Sequence, residues 1–265
     1  MKIRMKTPLS YYGGKQKLCS LILDLIPTHN LYCEPFVGGG AVFFGKQPSS
    51  VEVINDTNKE LINFYHIVQN RFVDLERMIR ATLHSRRQYE DASTIYNNPH
   101  LFDEVRRAWA VQVLTSQAFG SIIDNSWGYD KKENTSTNKI NNKREQFTEQ
   151  LAIRLQNVQV ECADALYIIQ SRDTKESFFY CDPPYFNSNC GHYDGYSRED
   201  FEALLRRLST VQGKFLLSSY PSDLLFEYAK KYKWTVRSIE QTISVNKGYS
   251  GKKKTEVLTM NYTNK

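Results

Sequence analysis

The sequence predicts an α/β fold with a mixed, mostly parallel sheet and an inserted, mainly helical segment. Two observations support this prediction. Short apolar runs typical of buried strands alternate with helical patterns towards both ends of the chain, and the middle of the chain shows helical patterns alone. We therefore predict one α/β domain built from residues 1–56 and 159–265, with residues 57–158 inserted into it as a second domain.

The first α/β stretch contains a β-loop-α-β unit. Apolar residues at helical spacing predict a helix over residues 18–26, which Pro27 ends, and a short strand over residues 31–33. A glycine-rich turn then leads into a second helix, and residues 51–54 predict the next strand.

The middle segment changes character along its length. Helices are predicted over residues 61–68, 72–83 and 101–114. Residues 131–143 are rich in Asn, Ser and Thr, and they predict a mobile polar loop.

The last stretch returns to alternating strands and helices. Strands are predicted over residues 158–162, 178–181, 215–218, 235–243 and 256–262, with helices over residues 198–208 and 223–232.

Composition narrows the class of protein. The apolar runs of this 265-residue chain are far shorter than the roughly 20 residues of a membrane-spanning helix, and no signal peptide is recognisable. The five cysteines form no C-x-x-C pair, which argues against a disulfide framework and a structural zinc site. We therefore expect a soluble, cytoplasmic protein without metal. The net charge of +6 fits an anionic partner but also occurs in enzymes with no such partner.

The run EPFVGGG (residues 34–40) lies between a predicted strand and a predicted helix, where glycines let a ligand approach the main chain closely. Asp56 ends the following strand, where its carboxylate would accept both hydroxyls of a ribose. A packing turn without a ligand and a turn-initiating aspartate are the alternatives. The run lacks G-x-G-x-x-G and a Walker lysine, so a nucleoside without bridging phosphates is favoured.

The run DPPY (residues 182–185) follows an apolar strand. Its prolines have no N–H to donate, so a carboxylate and a carbonyl would lie side by side as acceptors for one amino group. The ring of Tyr185 would stack on a base taken out of its duplex, and this role predicts that Tyr185→Phe is nearly silent. A rigid surface turn is the alternative.

These motifs resemble those of the Dam-like D12 class of DNA adenine-N6 methyltransferases. The matching runs, in the order typical of that class, are YYGGK (residues 11–15), EPFVGGG, NDTN (residues 55–58), FYCDPPY (residues 179–185) and, near the end, SVN (residues 244–246), KKK (residues 252–254) and EVL (residues 256–258). The resemblance implies a Rossmann-like methyltransferase fold, S-adenosylmethionine as the methyl donor, double-stranded DNA as the partner and a flipped adenine as the acceptor.

The resemblance also implies site residues. The catalytic residues would be Asp182, Pro183, Pro184 and Tyr185. The cofactor would be bound by Tyr11, Lys15, Glu34, Phe36, Gly38, Gly40, Asp56, Asp164 and Asp182. A helix N-cap is the alternative role for Asp164. No covalent intermediate is required, so we expect a structural role for Cys181.

The middle segment departs from the class. GATC-specific members carry an Arg-Tyr-Asn-x-x-Gly-x-Phe-Asn hairpin, which residues 116–129 do not match, so a GATC site is not implied. Phe119 and Trp127 are candidate wedges or stacking residues, with core packing as the alternative. Candidate phosphate contacts are Lys131, Lys132, Lys143 and Arg144, with Lys139, Arg86 and Arg87 beside them, and a solvated charged face is the alternative.

Other activities stay open at this point. In this family of motifs, cytosine-N4 enzymes usually have Ser and protein-glutamine enzymes Asn at the position of Asp182, so Asp182 favours adenine; RNA adenine is a further option. A different class of function is an inactive DNA-binding regulator with the same fold. A role in restriction-modification, the partner restriction enzyme and the oligomeric state, with a monomer as one option, are not specified by the sequence.

Overall fold

The computed structural model describes residues 5–123, 125–187, 196–242 and 253–263. The strands in these ranges are β1 (Leu31–Glu34), β2 (Val51–Asn55), β3 (Val158–Glu161), β4 (Ser177–Cys181), β5 (Lys214–Ser219), β6 (Thr235–Thr242) and β7 (Lys253–Met260). These seven described strands form one sheet in the order β3-β2-β1-β4-β5-β7-β6.

The sheet is mixed and mostly parallel, as predicted. Strand β4 pairs in parallel with β1 and β5, whereas β7 runs antiparallel to both β5 and β6. All five residues of β4 are buried, as expected for a parallel strand covered on both faces. The carboxyl ends of β1, β4 and β5 therefore meet at one edge of the sheet, where β7 begins.

The helices in the described ranges confirm most of the sequence-based predictions. They are α1 (Cys19–Leu25), α2 (Ala41–Gly45), α3 (Lys59–Asn70), α4 (Phe72–Ala81), α5 (Arg86–Asn97), α6 (Glu104–Gln117), α7 (Thr135–Gln146), α8 (Gln150–Leu155), α9 (Ala165–Ser171), α10 (Arg198–Leu208) and α11 (Asp223–Tyr232). Short 3-10 turns lie at Pro99–Leu101 and Phe119–Ser121.

The chain divides into two compact units. The first unit contains residues 1–24, 37–48 and 54–163, and the second contains residues 25–36, 49–53 and 164–265. The inserted domain that we predict from composition, residues 57–158, lies within the first unit and stays a prediction.

The first unit is built around α6, which packs against α3, α4 and α5. Ten of the fourteen residues of α6 are buried, and this explains why its apolar pattern is broad. Arg107 of α6 donates two hydrogen bonds, of 2.9 and 2.7 Å, to the carboxylate of Glu60 on α3. This bidentate pair fixes the register of the two helices.

The prediction of a polar loop over residues 131–143 is wrong, because α7 covers most of that range. Contacts with residues outside the helix stabilise it where its own sequence does not. The Asp130 carboxylate accepts from the N–H of Ser136 in the first turn, and Ile140 is buried. Helix α5 was not predicted either, although Tyr89, Ala92 and Ile95 form its buried face at helical spacing.

In the second unit, α9, α10 and α11 accompany the strands, with α10 in contact with both other helices. Ser197 and Asp200 form a capping box at the start of α10, which explains why its beginning could be predicted.

Within the described ranges, no helix has the length and apolarity needed to cross a membrane. Nor do three or more His, Cys, Asp or Glu side chains in those ranges lie in an arrangement that could hold a metal ion.

Candidate active site

The glycine-rich turn before α2 belongs to the first unit. Gly38 and Gly40 have φ values of 46° and 67°, in the left-handed region that favours glycine. A Cβ atom on Gly39 would lie 2.7 Å from the Cβ of Tyr11. The turn therefore needs glycine for its conformation and for the close packing of Tyr11.

Asp56 holds this turn. Its Oδ2 accepts from the N–H of Gly38 at 3.0 Å, and its Oδ1 accepts from the N–H of Asn58 at 3.0 Å. Burial raises the pKa of Asp56, while the bonds from Asn58, Gly38 and Thr57 act in the opposite direction. The predicted turn-initiating role of Asp56 is therefore real. Its two oxygens offer about four acceptor positions, so three main-chain bonds leave one for a ligand hydroxyl.

Two side chains that sequence reasoning missed bind the carbonyls of the same turn. Tyr65 on α3 donates its hydroxyl to the carbonyl of Gly38 at 2.7 Å, and the Thr7 hydroxyl donates to the carbonyl of Gly39. Neither residue lies in a recognisable motif. The apolar periodicity of α3 explains only the burial of Tyr65, and its hydroxyl would have been the signal, because a buried tyrosine needs a partner.

Lys15 is buried in the first unit, and its ammonium donates to the carbonyl of Gly13 at 3.0 Å. A buried ammonium is suited to a carboxylate ligand, because hydrogen bonds between two charged groups are strong. Tyr11, Lys15, Gly38, Gly40 and Asp56 thus lie in one unit, and the structure brings Tyr11, Gly38 and Asp56 into one set of contacts.

In the second unit, the predicted catalytic run follows β4 directly. Asp182, Pro184 and Tyr185 are half-buried and Pro183 is buried. Glu34 ends the neighbouring parallel strand β1, is 2% exposed, and accepts from the Tyr32 hydroxyl at 2.8 Å. Phe36 is half-buried two residues after Glu34.

The hydroxyl of Tyr185 lies among three oxygen atoms. It is 2.9 Å from Oε1 of Glu256, 3.1 Å from Oδ1 of Asp182 and 3.4 Å from Oγ of Ser218. Ser218 in turn donates to Oε1 of Glu256 at 2.7 Å. Sequence reasoning missed Ser218 and gave Glu256 no role. Ser218 could have been recognised as a site residue from its position near the end of β5, the parallel neighbour of β4.

These contacts change what we expect of Tyr185. Its ring meets the Tyr220 ring with centroids 4.4 Å apart at 61°, an edge contact. Burial and the charges of Asp182 and Glu256 raise the pKa of Tyr185 well above its ordinary value. Because removing a buried hydroxyl leaves its partners unsatisfied, we no longer expect Tyr185→Phe to be nearly silent.

Asp164 is the N-cap of α9. Its Oδ1 accepts from the N–H of Tyr167 at 2.9 Å, so the alternative role considered for this residue is present. Its contact with a cofactor stays a prediction. Cys181, next to the catalytic run, is buried in β4, where burial raises its thiol pKa well above the ordinary value. Both features fit a structural role.

The two candidate wedge residues lie on one hairpin of the first unit, in which Ala118 bridges Trp127. Phe119 is 68% exposed, so core packing does not explain it. Trp127 is half-buried, stacks on Tyr129 and has the Arg86 guanidinium 4.8 Å from its ring centroid.

Gln117 holds the base of this hairpin. Its Oε1 accepts from the indole N–H of Trp127 at 3.1 Å, and its amide donates to the carbonyl of Leu83 at 2.9 Å. Gln117 is 2% exposed. Sequence reasoning assigned this residue no role, although a buried glutamine at the end of an apolar helix indicates a polar partner.

The candidate phosphate contacts fall into two groups. Lys131 and Lys132 are exposed. Lys143 instead donates to the carbonyls of Thr7 and Leu9 at 2.7 and 3.2 Å, and burial lowers its pKa to about 8. Arg144 donates to the carbonyl of Thr82 and to the side chain of Asn141. The predicted DNA contacts of Lys143 and Arg144 stay predictions, and both side chains already have partners within the protein.

Part of the closing motif, residues 244–246 and Lys252, lies outside the described residues. Its described part, residues 256–258, belongs to β7 and supplies Glu256.

Comparison with known proteins gives the family of the chain. A family model described as D12 class N6 adenine-specific DNA methyltransferase matches residues 11–250. The type II methyltransferase M.MjaIII of Methanocaldococcus jannaschii is 27% identical, over 98% of this chain and 100% of its own length. The type II methyltransferase M1.LlaDCHI of Lactococcus lactis subsp. cremoris is 28% identical, over 99% of this chain and 98% of its own length. The DNA adenine methylase of Salmonella typhi is 26% identical, over 95% of this chain and 94% of its own length.

The family match extends from the YYGGK run past the DPPY run, so it includes both the glycine-rich turn and the catalytic run described above. The resemblance inferred from the motifs is confirmed, and the chain belongs to the D12 class of N6 adenine-specific DNA methyltransferases.

Proposed function

We propose that this chain transfers the methyl group of S-adenosylmethionine to N6 of an adenine flipped out of double-stranded DNA. The observation that carries this proposal is the run of residues 182–185 at the carboxyl end of β4, where the Asp182 carboxylate is followed by two prolines without N–H groups. Relatives named DNA adenine methylase and type II methyltransferase support DNA as the acceptor.

Asp182 would act on the acceptor amine. The lone pair of adenine N6 is delocalised into the ring, so the amine is a weak nucleophile. Hydrogen bonds from its two protons to Asp182 and to the Pro183 carbonyl would favour a pyramidal, nucleophilic nitrogen. The remaining requirement is orientation, which fixed groups at a strand end supply well.

The glycine-rich turn fits the proposed donor. Gly38 and Gly39 let the turn pack closely against Tyr11, and Asp56 lies beside them with carboxylate oxygens as acceptors. Tyr11, Lys15, Gly38, Gly40 and Asp56 would hold S-adenosylmethionine, with Lys15 matching its carboxylate and the Tyr11 ring facing a cation. When bound, S-adenosylmethionine supplies an electrophilic methyl group. The cofactor contacts of Glu34, Phe36, Asp164 and Asp182, in the second unit, remain part of the proposal.

Residues 57–158 would recognise the DNA target. The exposed Phe119 on the hairpin, held in place through Trp127 and Gln117, has the position expected of a wedge that enters the base stack. Lys131 and Lys132 follow the same hairpin and would contact phosphates.

The test is methylation by the purified protein. We expect labelled S-adenosylmethionine to yield N6-methyladenine in double-stranded DNA, detected by mass spectrometry of the nucleosides. Single-molecule sequencing of DNA from a methylation-free host that expresses the chain would give the sequence around the modified base. N4-methylcytosine, methylated RNA or no transfer at all would contradict the proposal, the last in favour of a DNA-binding regulator.

The wedge role has a separate readout. Phe119→Ala should reduce the fluorescence rise of 2-aminopurine at the target adenine, with a loss of about 1 to 3 kcal/mol in stacking. Leu101→Ala is the matched control, because Leu101 is also exposed (67%) and lies off the hairpin. Equal signals from the two variants would exclude Phe119 from base extrusion.

A further inference from the structure

Glu256 is a buried carboxylate beside the catalytic run. It lies near the start of β7, is 4% exposed, and comes next to β5 through the antiparallel pairing of Ser219 with Val257. Its Oε1 lies 2.9 Å from the hydroxyl of Tyr185 and 2.7 Å from the hydroxyl of Ser218. Burying a carboxylate is costly, so its partners matter.

The hydrogen atoms on three contacts of this cluster can be counted. Asp182, Tyr185, Glu256 and Ser218 make three short oxygen-oxygen contacts, namely Asp182–Tyr185, Tyr185–Glu256 and Glu256–Ser218. The two hydroxyls bring one hydrogen each. The Ser218 hydrogen lies on the Glu256 contact, so the Tyr185 hydrogen serves one of two carboxylates. When both carboxylates are ionised, only two of the three contacts contain a hydrogen atom. The third contact becomes a hydrogen bond once one of the carboxylates takes up a proton.

Further polar groups lie around these contacts. Among the described residues they include Tyr180 on β4 and the carboxylate of Glu34 at the end of β1. Burial, followed by the charges of Asp182, Glu34 and Glu256, raises the pKa of Tyr180 well above its ordinary value. Burial and the charges of Asp182 and Glu256 do the same for Tyr185. Both phenols therefore stay protonated. The Tyr185 hydroxyl is a donor that can turn between two carboxylates and does not act as a base.

We propose that Glu256 is a positioning residue that acts through Tyr185 and receives the proton released by the acceptor amine. This inference rests on the proposed function. During transfer, the nitrogen lone pair forms the bond to the methyl carbon, and the bond from that carbon to sulfur breaks with its electron pair left on sulfur. The nitrogen now carries a positive charge. Its N–H bond breaks, the electron pair stays on nitrogen, and the proton goes to Asp182.

The proton then moves along the cluster. Asp182 passes it to the Tyr185 oxygen while the hydroxyl's own proton goes to Glu256. At the end Asp182 is ionised again, Tyr185 is neutral, Glu256 is a neutral acid, and the methylated amine is uncharged. Between the two states only protons change place within the cluster. Asp182 is thus ready to bind the protons of a new amine once Glu256 has released its proton to solvent.

Glu256→Gln separates this role from a purely mechanical one. Glutamine keeps the size of the side chain and an oxygen that accepts from Tyr185 and Ser218, but it takes up no proton. If Glu256 only orients Tyr185, the steady-state rate of methyl transfer at saturating donor and DNA stays near that of wild type. Our proposal expects this rate of repeated turnover to fall by at least about tenfold, because Asp182 cannot pass on its proton before the next acceptor binds. The single-turnover rate should fall much less, since the proton leaves after the methyl group has been transferred.

The control and the second variant use the same part of the fold. Thr259→Val changes a fully buried β7 side chain whose hydroxyl has no hydrogen-bond partner among the described residues, so it should keep the wild-type rate. Tyr185→Phe interrupts the path while leaving Glu256 in place. It should fall as far as Glu256→Gln, and the double variant should fall no further.

A spectroscopic readout completes the test. Infrared difference spectra of the protein, recorded before and after a single turnover, should show a carboxylic acid band that Glu256→Gln lacks and Thr259→Val retains. A wild-type rate and spectrum in Glu256→Gln would overturn the inference. If Glu256→Gln does not fold, Glu256→Asp replaces it. The inference is overturned if the losses of rate in Tyr185→Phe and Glu256→Asp add up in the double variant. Absence of N6-methyladenine with the wild-type protein would instead contradict the proposed function.

Discussion

The carboxylates that follow β2 and β4 are held in different ways. Both oxygens of Asp56 accept main-chain N–H groups, whereas Asp182 shares the hydroxyl of Tyr185 with the second carboxylate Glu256. A main-chain amide does not give up its proton under these conditions, while a hydroxyl between two carboxylates exchanges its proton readily. The difference teaches that the Asp56 arrangement keeps a charge in a fixed place and the Asp182 arrangement lets a proton move.

The same contrast divides the basic residues. The Lys143 ammonium is held by the carbonyls of Thr7 and Leu9, whereas Lys131 and Lys132 are exposed. A charge with main-chain partners is part of the scaffold, and an exposed charge is available to a partner molecule.

The largest effect is expected at Asp182. Asp182→Ala should lower the single-turnover rate of methyl transfer by at least about 100-fold, while DNA affinity changes much less, because its hydrogen bonds strengthen as the amine rehybridises. Rapid-quench measurement at saturating donor would show this. Asp173→Ala is the control, since Asp173 also lies in the second unit but accepts main-chain N–H groups of Gln212 and Gly213. Equal rates in the two variants would contradict the proposed difference between a carboxylate that shares a hydroxyl and one that main-chain N–H groups hold.

A smaller loss, and one of binding, is expected at Asp56. Asp56→Ala should weaken donor affinity by about 1 to 3 kcal/mol, or about 5- to 150-fold, when measured by calorimetry. Asp103→Ala is matched to it, because Asp103 likewise accepts two main-chain N–H groups, at the start of α6. That control should lose stability and keep its donor affinity.

The raised pKa of Asp56 also gives a sign for the pH dependence of binding. The folded-state value lies above the ordinary value of about 3.9, so the ionised acceptor is lost at a higher pH than in a free aspartate. On acidification, the affinity for the donor should therefore begin to fall at a pH higher than the ordinary pKa of a free aspartate. Asp56→Asn should bind more weakly and show no such fall.

The basic residues should separate by salt dependence. Replacing Lys131 and Lys132 with Ala should reduce the slope of log K against log salt by about 1 to 2, since each phosphate contact contributes roughly 0.9. Replacing Lys143 and Arg144 should lower the free energy of unfolding and leave the slope unchanged. The opposite result would assign the phosphate contacts to the internally bonded pair.

The smallest effect concerns Lys143 alone. Its pKa of about 8 lies below the ordinary 10.5, so between these values the folded protein binds fewer protons than the unfolded chain. Stability should therefore rise with pH in that window relative to Lys143→Met, by on the order of 1 to 3 kcal/mol. Chemical denaturation at pH 8 and pH 10 would measure it. If the free energies of unfolding of wild type and Lys143→Met change equally between the two pH values, the Lys143 ammonium is not desolvated.

Local patterns predicted most elements well, and for a physical reason. Helices α10 and α11 carry their own caps and apolar faces, and β4 and β5 are continuous apolar runs, so neighbouring residues specify them. Helix α7 does not, because Asp130 and the buried Ile140 stabilise it through contacts outside the helix. The turn at Gly38 and the run after β4 were visible as motifs. Glu256 reaches Ser218 only through the pairing of β5 with β7, which no local pattern reveals.

The position of β1 beside β4 has a consequence for biosynthesis. Strand β1 ends at Glu34, and its partner ends at Cys181, so about 145 residues are made between them. At roughly 5 to 20 residues per second, the nascent chain exposes the apolar edge of β1 for roughly 7 to 30 s before β4 is synthesised. A ribosome-bound chain stopped before Ser177 should therefore bind chaperones that recognise unpaired strands, and one extended past Ser219, with β5 also present, should release them.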